Sequence, residues 1–302
     1  MRTVKGKITW IDIVKPNDGD IAAVKKEHAF HPIILDEIHH PSSRARLERY
    51  DSYLFLIYHL PVYDATMQTS RRAEIDFLIT KNKIITVHYE HLESLDALFQ
   101  SLLRDEALRK NILGSETFLP LHFILQECTA FALRQLRHIE ERVSFVANEI
   151  FNHKEEVLLQ KISYIKRDIL DYRLIVRPQA ALFHLLKENS ETFWGDKSRV
   201  YIADIAASQL RIQEALENYY EMIESLETTN AQLLDAETNK VIKRMTTLGF
   251  LFSAPLFLIF LSEIKYVGDI FLATPGLFWT EFFVIGTLLV WLTLYFKKKK
   301  IL

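Results

Sequence analysis

Three charged side chains lie close together in the short polar segment between two long apolar runs: Glu263, Lys265 and Asp269. Carboxylates attract cations. An ammonium group a few ångströms away repels the same ion unless it pairs with a carboxylate. The segment is therefore a candidate cation-collecting site centred on Glu263. The alternative is an exposed interfacial loop that contacts no ion.

The elements that would position this segment are the apolar runs themselves, residues 245–262 and 282–296. About 20 apolar residues of helix cross a ~30 Å hydrocarbon core, so the runs predict two transmembrane helices. Cationic residues precede the first run and follow the second, at Lys240, Lys243, Arg244 and 297–300. The positive-inside rule then predicts a multi-pass protein of the cell membrane with both termini in the cytoplasm. Two buried helices of a soluble core are the alternative.

Composition excludes several classes of protein. The formal net charge of the 302 residues is −2, which argues against a nucleic-acid partner. Cys128 is the only cysteine, so a disulfide framework and a cysteine zinc site are excluded. The N-terminus lacks the unbroken apolar run of a signal peptide, so membrane insertion would rely on the C-terminal spans. No nucleotide-binding or hydrolase motif occurs, so we predict neither an enzyme nor a bound cofactor.

The first part of the chain has the pattern of a mixed α/β domain. Short runs rich in Ile, Val, Tyr and Phe predict strands at residues 8–14, 53–59, 75–80 and 83–89. Helical patterns predict helices at residues 18–28, 33–40 and 92–103. We therefore expect an α+β cytoplasmic domain over residues 1–116.

Glycine and proline become rare after Phe118, which predicts long helices at residues 117–152, 154–189 and 198–262. These helices divide the rest of the chain into a long-helix stalk over residues 117–244 and a transmembrane domain over residues 245–302. The third helix would be roughly 100 Å long, more than one small domain can cover. Apolar residues recur at intervals of seven along it, at Ile205, Ile212, Tyr219, Leu226 and Leu233, with Leu216 and Ile223 as a partial second row. The seam predicts either a parallel bundle of identical helices or packing within one chain.

In this arrangement the chain resembles the CorA family of divalent-cation channels. The likeness covers nearly the whole chain and rests on the order of eight segments, at residues 10–13, 31–38, 46–55, 83–88, 202–205, 239–246, 255–256 and 295–300. Membership would imply a homopentameric funnel in a lipid bilayer that passes Mg²⁺, with Co²⁺, Ni²⁺ or Zn²⁺ as alternatives. It would also imply a pore lined by the first transmembrane helix.

The chain departs from this family at the outer mouth of the pore. Family members end the first span with Gly-Met-Asn, whose carbonyl and amide oxygens hold a hydrated Mg²⁺. Here the matching place is taken by Glu263-Ile264-Lys265 or Ile264-Lys265-Tyr266. Because no carboxamide remains, the outer mouth is expected at Glu263, Lys265 and Tyr266, with Glu263 as the metal-attracting group.

The resemblance also assigns residues inside the span. One helical stripe contains Ile242, Met245, Gly249, Phe252, Leu256, Phe260 and Glu263, and the adjacent stripe contains Thr246, Ser253 and Phe257. The match to the family's pore entry places Ile242 and Met245 at a hydrophobic constriction that gates by dewetting. A pore lining of Ile242, Met245, Thr246, Gly249, Ser253 and Leu256 is therefore predicted, with burial against lipid as the alternative.

Asp204 matches the acidic residue that, in the family, helps to bind regulatory Mg²⁺ between neighbouring cytoplasmic domains. An aspartate near a helix start can instead interact with the helix dipole. The family's next aspartate is replaced by Ala207. The histidines at 28, 31, 39 and 40 have irregular spacing and are interpreted as surface or core residues rather than metal ligands. Two functions remain open: a divalent-cation channel or transporter, and a non-conducting membrane-anchored scaffold or cation sensor.

Overall fold

The computed structural model describes residues 1–151, 155–262 and 275–298. Two compact units divide the chain, Met1–Glu227 and Thr228–Leu302. The N-terminal unit contains a six-stranded mixed sheet and the helices that cover it. The predicted α+β domain with long helices is thereby confirmed.

The strands of the sheet are β1 (Arg2–Lys5), β2 (Thr9–Val14), β3 (Arg46–Arg49), β4 (Tyr53–Asp64), β5 (Thr69–Thr80) and β6 (Lys83–His88). Their order across the sheet is β1-β2-β6-β5-β4-β3. β2 and β6 run parallel, whereas the other pairs are antiparallel. The parallel pair is possible because a long excursion through two helices and three strands separates β2 from β6.

Two short helices, α1 (Asp18–Glu27) and α2 (Pro32–Glu37), cover one face of the sheet. Asn17 caps α1 in a capping box with Asp20, and His31 caps α2 ahead of Pro32. Apolar side chains of both helices pack with inward-facing residues of the central strands. This core includes Ile34, Leu35, Ile38, Phe55, Ile57, Leu78, Ile85 and Val87.

The opposite face of the sheet is covered by later helices. They are α3 (Glu93–Arg104), α4 (Glu106–Leu113), α5 (Phe118–Glu149), α6 (Glu155–Val176) and α7 (Gln179–Trp194). The helix predicted at residues 154–189 is two helices, because Pro178 has no backbone N–H to continue the ladder of α6. α7 ends at Gly195, whose φ of 85° suits a residue without a side chain.

Helix α8 (Ser198–Ser262) has the predicted bounds and contributes residues to both units. In the N-terminal unit its Ile205, Ile212, Leu216 and Ile223 are fully buried. Ion pairs join it to α6, with Arg173 Nη2 2.9 Å from Glu217 Oε2 and Lys166 Nζ 2.6 Å from Glu227 Oε2. The first half of the heptad seam therefore packs within its own chain.

The C-terminal unit holds the rest of α8 and helix α9 (Pro275–Lys298). These helices contain the two apolar runs at residues 245–262 and 282–296. Within the described residues, neither these helices nor any other combines the length and the apolar character needed to cross a membrane.

Candidate functional site: an exposed apolar row on helix α8

The predicted pore residues lie on the C-terminal part of α8, where all side chains of residues 241–250 except Thr247 are exposed. Ile242, Met245, Phe252, Leu256 and Phe260 are all exposed. At 100° per residue, these five side chains and Gly249 fall within an arc of about 80° along almost five turns of helix. We call these six residues the α8 row.

Thr247 lies on the opposite side of the same helix. Its side chain is only 6% exposed, and it lies about 180° from the centre of the α8 row. Thr247 Oγ1 donates a hydrogen bond to Lys243 O at 2.8 Å. Among residues 241–250, Thr247 is therefore the one buried side chain, and the α8 row lies on the opposite side of the helix.

The two predicted hydroxyl residues lie beside the row rather than within it. Thr246 and Ser253 are exposed, and each donates its hydroxyl proton to the helix backbone. The bonds run from Thr246 Oγ1 to Ile242 O at 2.8 Å and from Ser253 Oγ to Phe250 O at 3.1 Å. Their oxygens keep lone pairs that can accept from water. A rotation of about 70° would bring both hydroxyls to the position that the row occupies.

The predicted outer mouth lies outside the residues that the structure describes. Glu263, Lys265 and Tyr266 all lie in the segment 263–274, beyond the described residues. Their assignment therefore stays a prediction from the sequence.

Asp204 lies on α8 in the N-terminal unit, two turns from the helix start. Acidic residues are absent from the first turn of α8, so Asp204 is too far along to act as the dipole partner. Its carboxylate is half exposed, and Oδ2 accepts a hydrogen bond from His122 Nε2 of α5 at 3.0 Å. Among the described residues, Oδ1 takes part in no hydrogen bond or ion pair that would block a cation.

His122 is the partner of Asp204 that sequence reasoning missed. Its ring is almost buried and meets the ring of Tyr201 edge-on at 5.2 Å. The buried Nδ1 has no hydrogen-bond partner in the described part of the chain. A buried N–H without an acceptor is costly, so the neutral ring carries its proton on Nε2 and donates it to Asp204. The two residues are 82 positions apart, and no local pattern connects them.

Two other buried carboxylates link separate elements of the N-terminal unit. Asp168 of α6 is fully buried and accepts from Ser70 N at 2.7 Å, from His138 Nε2 at 2.7 Å and from Arg142 Nη1 at 3.2 Å. It thereby ties β5, α5 and α6 together. Charge-assisted bonds of this kind compensate the cost of burying the carboxylate.

Asp12 is the second anchor, on β2. Burial raises the pKa of its carboxyl, but hydrogen bonds from His88, Thr86 and Arg2 outweigh this and hold the pKa below its ordinary value. The other ring nitrogen of His88, Nδ1, lies 2.5 Å from Glu90 O, which can only accept. The ring of His88 thus links Asp12 of β2 to the end of β6.

The histidines at 28, 31 and 39 have local structural contacts. His28 Nε2 lies 3.1 Å from Ser52 Oγ, His31 caps α2, and His39 Nδ1 lies 3.9 Å from Asp18. Among the described residues, no group of three or more His, Cys, Asp and Glu side chains is arranged to hold a metal ion.

A family described as "CorA-like Mg2+ transporter protein" matches residues 5–298. The cobalt/magnesium transport protein CorA of Thermotoga maritima is 22% identical over 301 residues, covering 97% of this chain and 83% of its own length.

Solved structures share the architecture at low sequence identity. The complete CorA magnesium transporter of Methanocaldococcus jannaschii superposes with a TM-score of 0.80 at 17% identity, covering 96% of this chain and 90% of its own. Full-length CmaX gives a TM-score of 0.63 at 13% identity, covering 96% of this chain and 88% of its own. With a family match over almost the entire length, the chain belongs to the CorA-like Mg²⁺ transporter family, whose members are transporters and not enzymes.

Proposed function

We propose that this chain forms a homopentameric membrane channel that passes divalent cations, Mg²⁺ first among them, down their electrochemical gradient. The α8 row carries the proposal, because a pore-lining helix presents a continuous line of side chains to a central axis, and the five apolar side chains of this row are all exposed. Residues 245–262 and 282–296 would form the two spans, with both termini in the cytoplasm. Co²⁺, Ni²⁺ and Zn²⁺ are alternative substrates.

Gating in this proposal follows from wetting. Rings of Ile242 and Met245 at the cytoplasmic end would exclude water and so block hydrated ions. The remaining members of the α8 row are also apolar up to Phe260, so an open state would need Thr246 and Ser253 to turn toward the axis. Their free lone pairs suit contact with the water shell of a hydrated Mg²⁺, which dehydrates reluctantly.

A second function is favoured by the same row. A pore lined by the α8 row alone has no polar side chain, and it also lacks the asparagine of the family signature, so it would stay dry unless the helix turned. The chain would then be a non-conducting scaffold or cation sensor anchored in the lipid bilayer. Uptake of Mg²⁺, Co²⁺ and Zn²⁺ by proteoliposomes containing the purified full chain separates the two functions. Uptake above that of empty liposomes supports the channel, and equal uptake supports the scaffold.

The outer mouth gives a charge-based prediction. Glu263→Gln removes the carboxylate proposed to gather cations, so divalent influx should fall by about threefold or more at low ionic strength. Lys265→Gln removes the opposing ammonium, so influx should rise. Tyr266→Phe is the matched control, because it changes no charge. Unchanged influx in both charge variants of a conducting protein would mean that this segment is a passive connector.

The cytoplasmic site gives a second prediction. His122→Phe keeps the packing against Tyr201 but releases Asp204 Oδ2, so a divalent cation between neighbouring subunits should bind about fivefold more tightly. Asp204→Asn should abolish the effect. The readout is protection of the cytoplasmic domain from protease as Mg²⁺ is titrated onto the full chain. Identical titrations for wild type and His122→Phe would show that Asp204 does not bind the regulatory cation.

A further inference from the structure

Two acidic side chains lie side by side in the core of the cytoplasmic domain, Glu74 and Asp76 of β5. Both belong to the face of the sheet that α1 and α2 cover, since Asp76 faces Ile57 and Val87 across the ladder. Glu74 is 4% exposed and Asp76 is 1% exposed. We call them the acid pair.

The hydrogen bonds of the acid pair are unequal. Glu74 Oε1 accepts from Ser42 N at 2.7 Å, and Glu74 Oε2 lies 3.1 Å from His59 Nε2. Asp76 Oδ2 accepts from Tyr89 OH at 2.7 Å. Asp76 Oδ1 has no hydrogen-bond partner among the described residues. Glu74 is therefore satisfied as a carboxylate, whereas Asp76 has one oxygen left over.

The other charged groups around the pair do not neutralise Asp76. Glu37 of α2 adds a third carboxylate, but Arg46 pairs with it. Arg72, on the same face of β5, is exposed and donates to Ser43 O at 2.7 Å. His59 lies opposite Glu74 rather than Asp76. In the described part of the chain, no three or more His, Cys, Asp or Glu side chains form a group that could hold a metal ion.

We propose that the acid pair holds one proton across neutral pH, carried on Asp76, and that loss of this proton at alkaline pH loosens residues 37–46 from the sheet. Two carboxylates that share a buried site cannot both ionise cheaply, so one stays protonated. Deprotonation places a second negative charge beside Glu74, beneath α2. Residues 37–46 contact the pair through Ser42 N and bring the charge of Glu37, so their displacement admits water at the lowest cost.

The direction of the pH dependence follows from the charges. Burial, together with the charges of Glu74 and Glu37, raises the pKa of Asp76 well above its ordinary value of 3.8. A carboxyl with a raised pKa in the folded state stabilises the fold fully below that ordinary value. The stabilisation is lost as the pH rises through the raised value. The domain thereby becomes a sensor of alkaline pH, independently of whether the chain conducts.

Asp76→Asn is the test variant, because the amide imitates the protonated acid. Its oxygen can accept from Tyr89 OH, and its NH₂ can donate toward Glu74. Asp36→Asn is the matched control, since Asp36 is an exposed carboxylate on α2. Hydrogen exchange of residues 37–46 in the detergent-solubilised full chain, corrected for the intrinsic rate at each pH, is compared between about pH 6 and about pH 9. Infrared spectra at neutral pH report the C=O stretch of a protonated carboxylic acid.

We expect protection of residues 37–46 to fall at least about fivefold with rising pH in wild type and Asp36→Asn but not in Asp76→Asn. The infrared band should be absent only from Asp76→Asn. If Asp76→Asn does not fold, Glu74→Gln serves instead. Without the negative charge of Glu74, Asp76 should lose its proton at lower pH, so the loss of protection should move to lower pH. A pH-independent wild type, or the same pH dependence and infrared band in Asp76→Asn, would overturn the proposal.

Discussion

Replacing Ile242 and Met245 together by serine should raise the passive leak of divalent cations at least about tenfold. The two side chains are exposed at the cytoplasmic end of the α8 row, where apolar rings from neighbouring subunits would keep the pore dry. Serine hydroxyls hold water in the same position, so the barrier to hydrated ions falls. The measurement is the rate of Mg²⁺ entry into proteoliposomes under an inward gradient.

Phe250→Ser is the matched control for this leak. Phe250 is as exposed as Met245 but lies about 100° around the helix from Gly249, away from the row. It should therefore change neither leak nor folding noticeably. If Phe250→Ser leaks as much as the double variant, the pore-facing side of α8 is assigned to the wrong face. If the double variant leaks no more than a conducting wild type, the constriction lies elsewhere.

The sequence was informative where a pattern is local and long. Helix α8 has the predicted bounds, and residues 198–248 contain neither glycine nor proline to interrupt it. The central strands were found for a similar reason, since runs of branched and aromatic residues predict buried β-structure. β4 and β5 are longer than predicted, however. Their outer ends carry Pro61, Arg71 and Arg72, which do not fit the apolar pattern from which the strands were predicted.

Edge strands and helix breaks were the parts of the fold that sequence reasoning missed. β1 and β3 have four residues each and are rich in charge, as befits strands that expose an edge to water. Such segments carry no alternating apolar pattern. Pro178 was visible in the sequence, but only the structure places the break between α6 and α7 there rather than a kink within one helix.

Single residues of the candidate site could be predicted from the sequence, but their partners could not. Asp204 was identified through its family resemblance, whereas His122 was not, because contact between them depends on how α5 packs against α8. The acid pair shows the same limit. Alternation along β5 places Glu74 and Asp76 on one face, but their burial depends on α2, which comes from a different part of the chain.

Periodicity also could not identify the partner of the heptad seam on α8. Ile205, Ile212, Leu216 and Ile223 are buried by their own chain, so the upper seam needs no second copy. Tyr219, Leu226 and Leu233 are only half buried. Any contact between identical helices is therefore expected at the lower end of the seam, just before the membrane entry.

Leu226→Asp combined with Leu233→Asp should accordingly dissociate the proposed pentamer. A carboxylate at each position, repeated in five parallel helices, would bury like charges without partners, and such burial is strongly destabilising. The chain itself should still fold, because neither leucine is fully buried within it. Native mass spectrometry of the detergent-solubilised protein measures the subunit number directly, and circular dichroism reports whether helix content is kept.

Gln232→Asp combined with Asn239→Asp provides the matched control for the pentamer. These residues are also seven apart on α8 and exposed, but they lie about 100° or more around the helix from the two leucines. Two added charges on that side should leave the oligomer intact, which separates a specific seam from general charge repulsion. A monomeric wild type would contradict both the proposed pentamer and the proposed pore, since one α8 row cannot enclose an ion path. A pentamer that survives both leucine substitutions would instead place the contacts between subunits in the membrane helices or in the cytoplasmic domain.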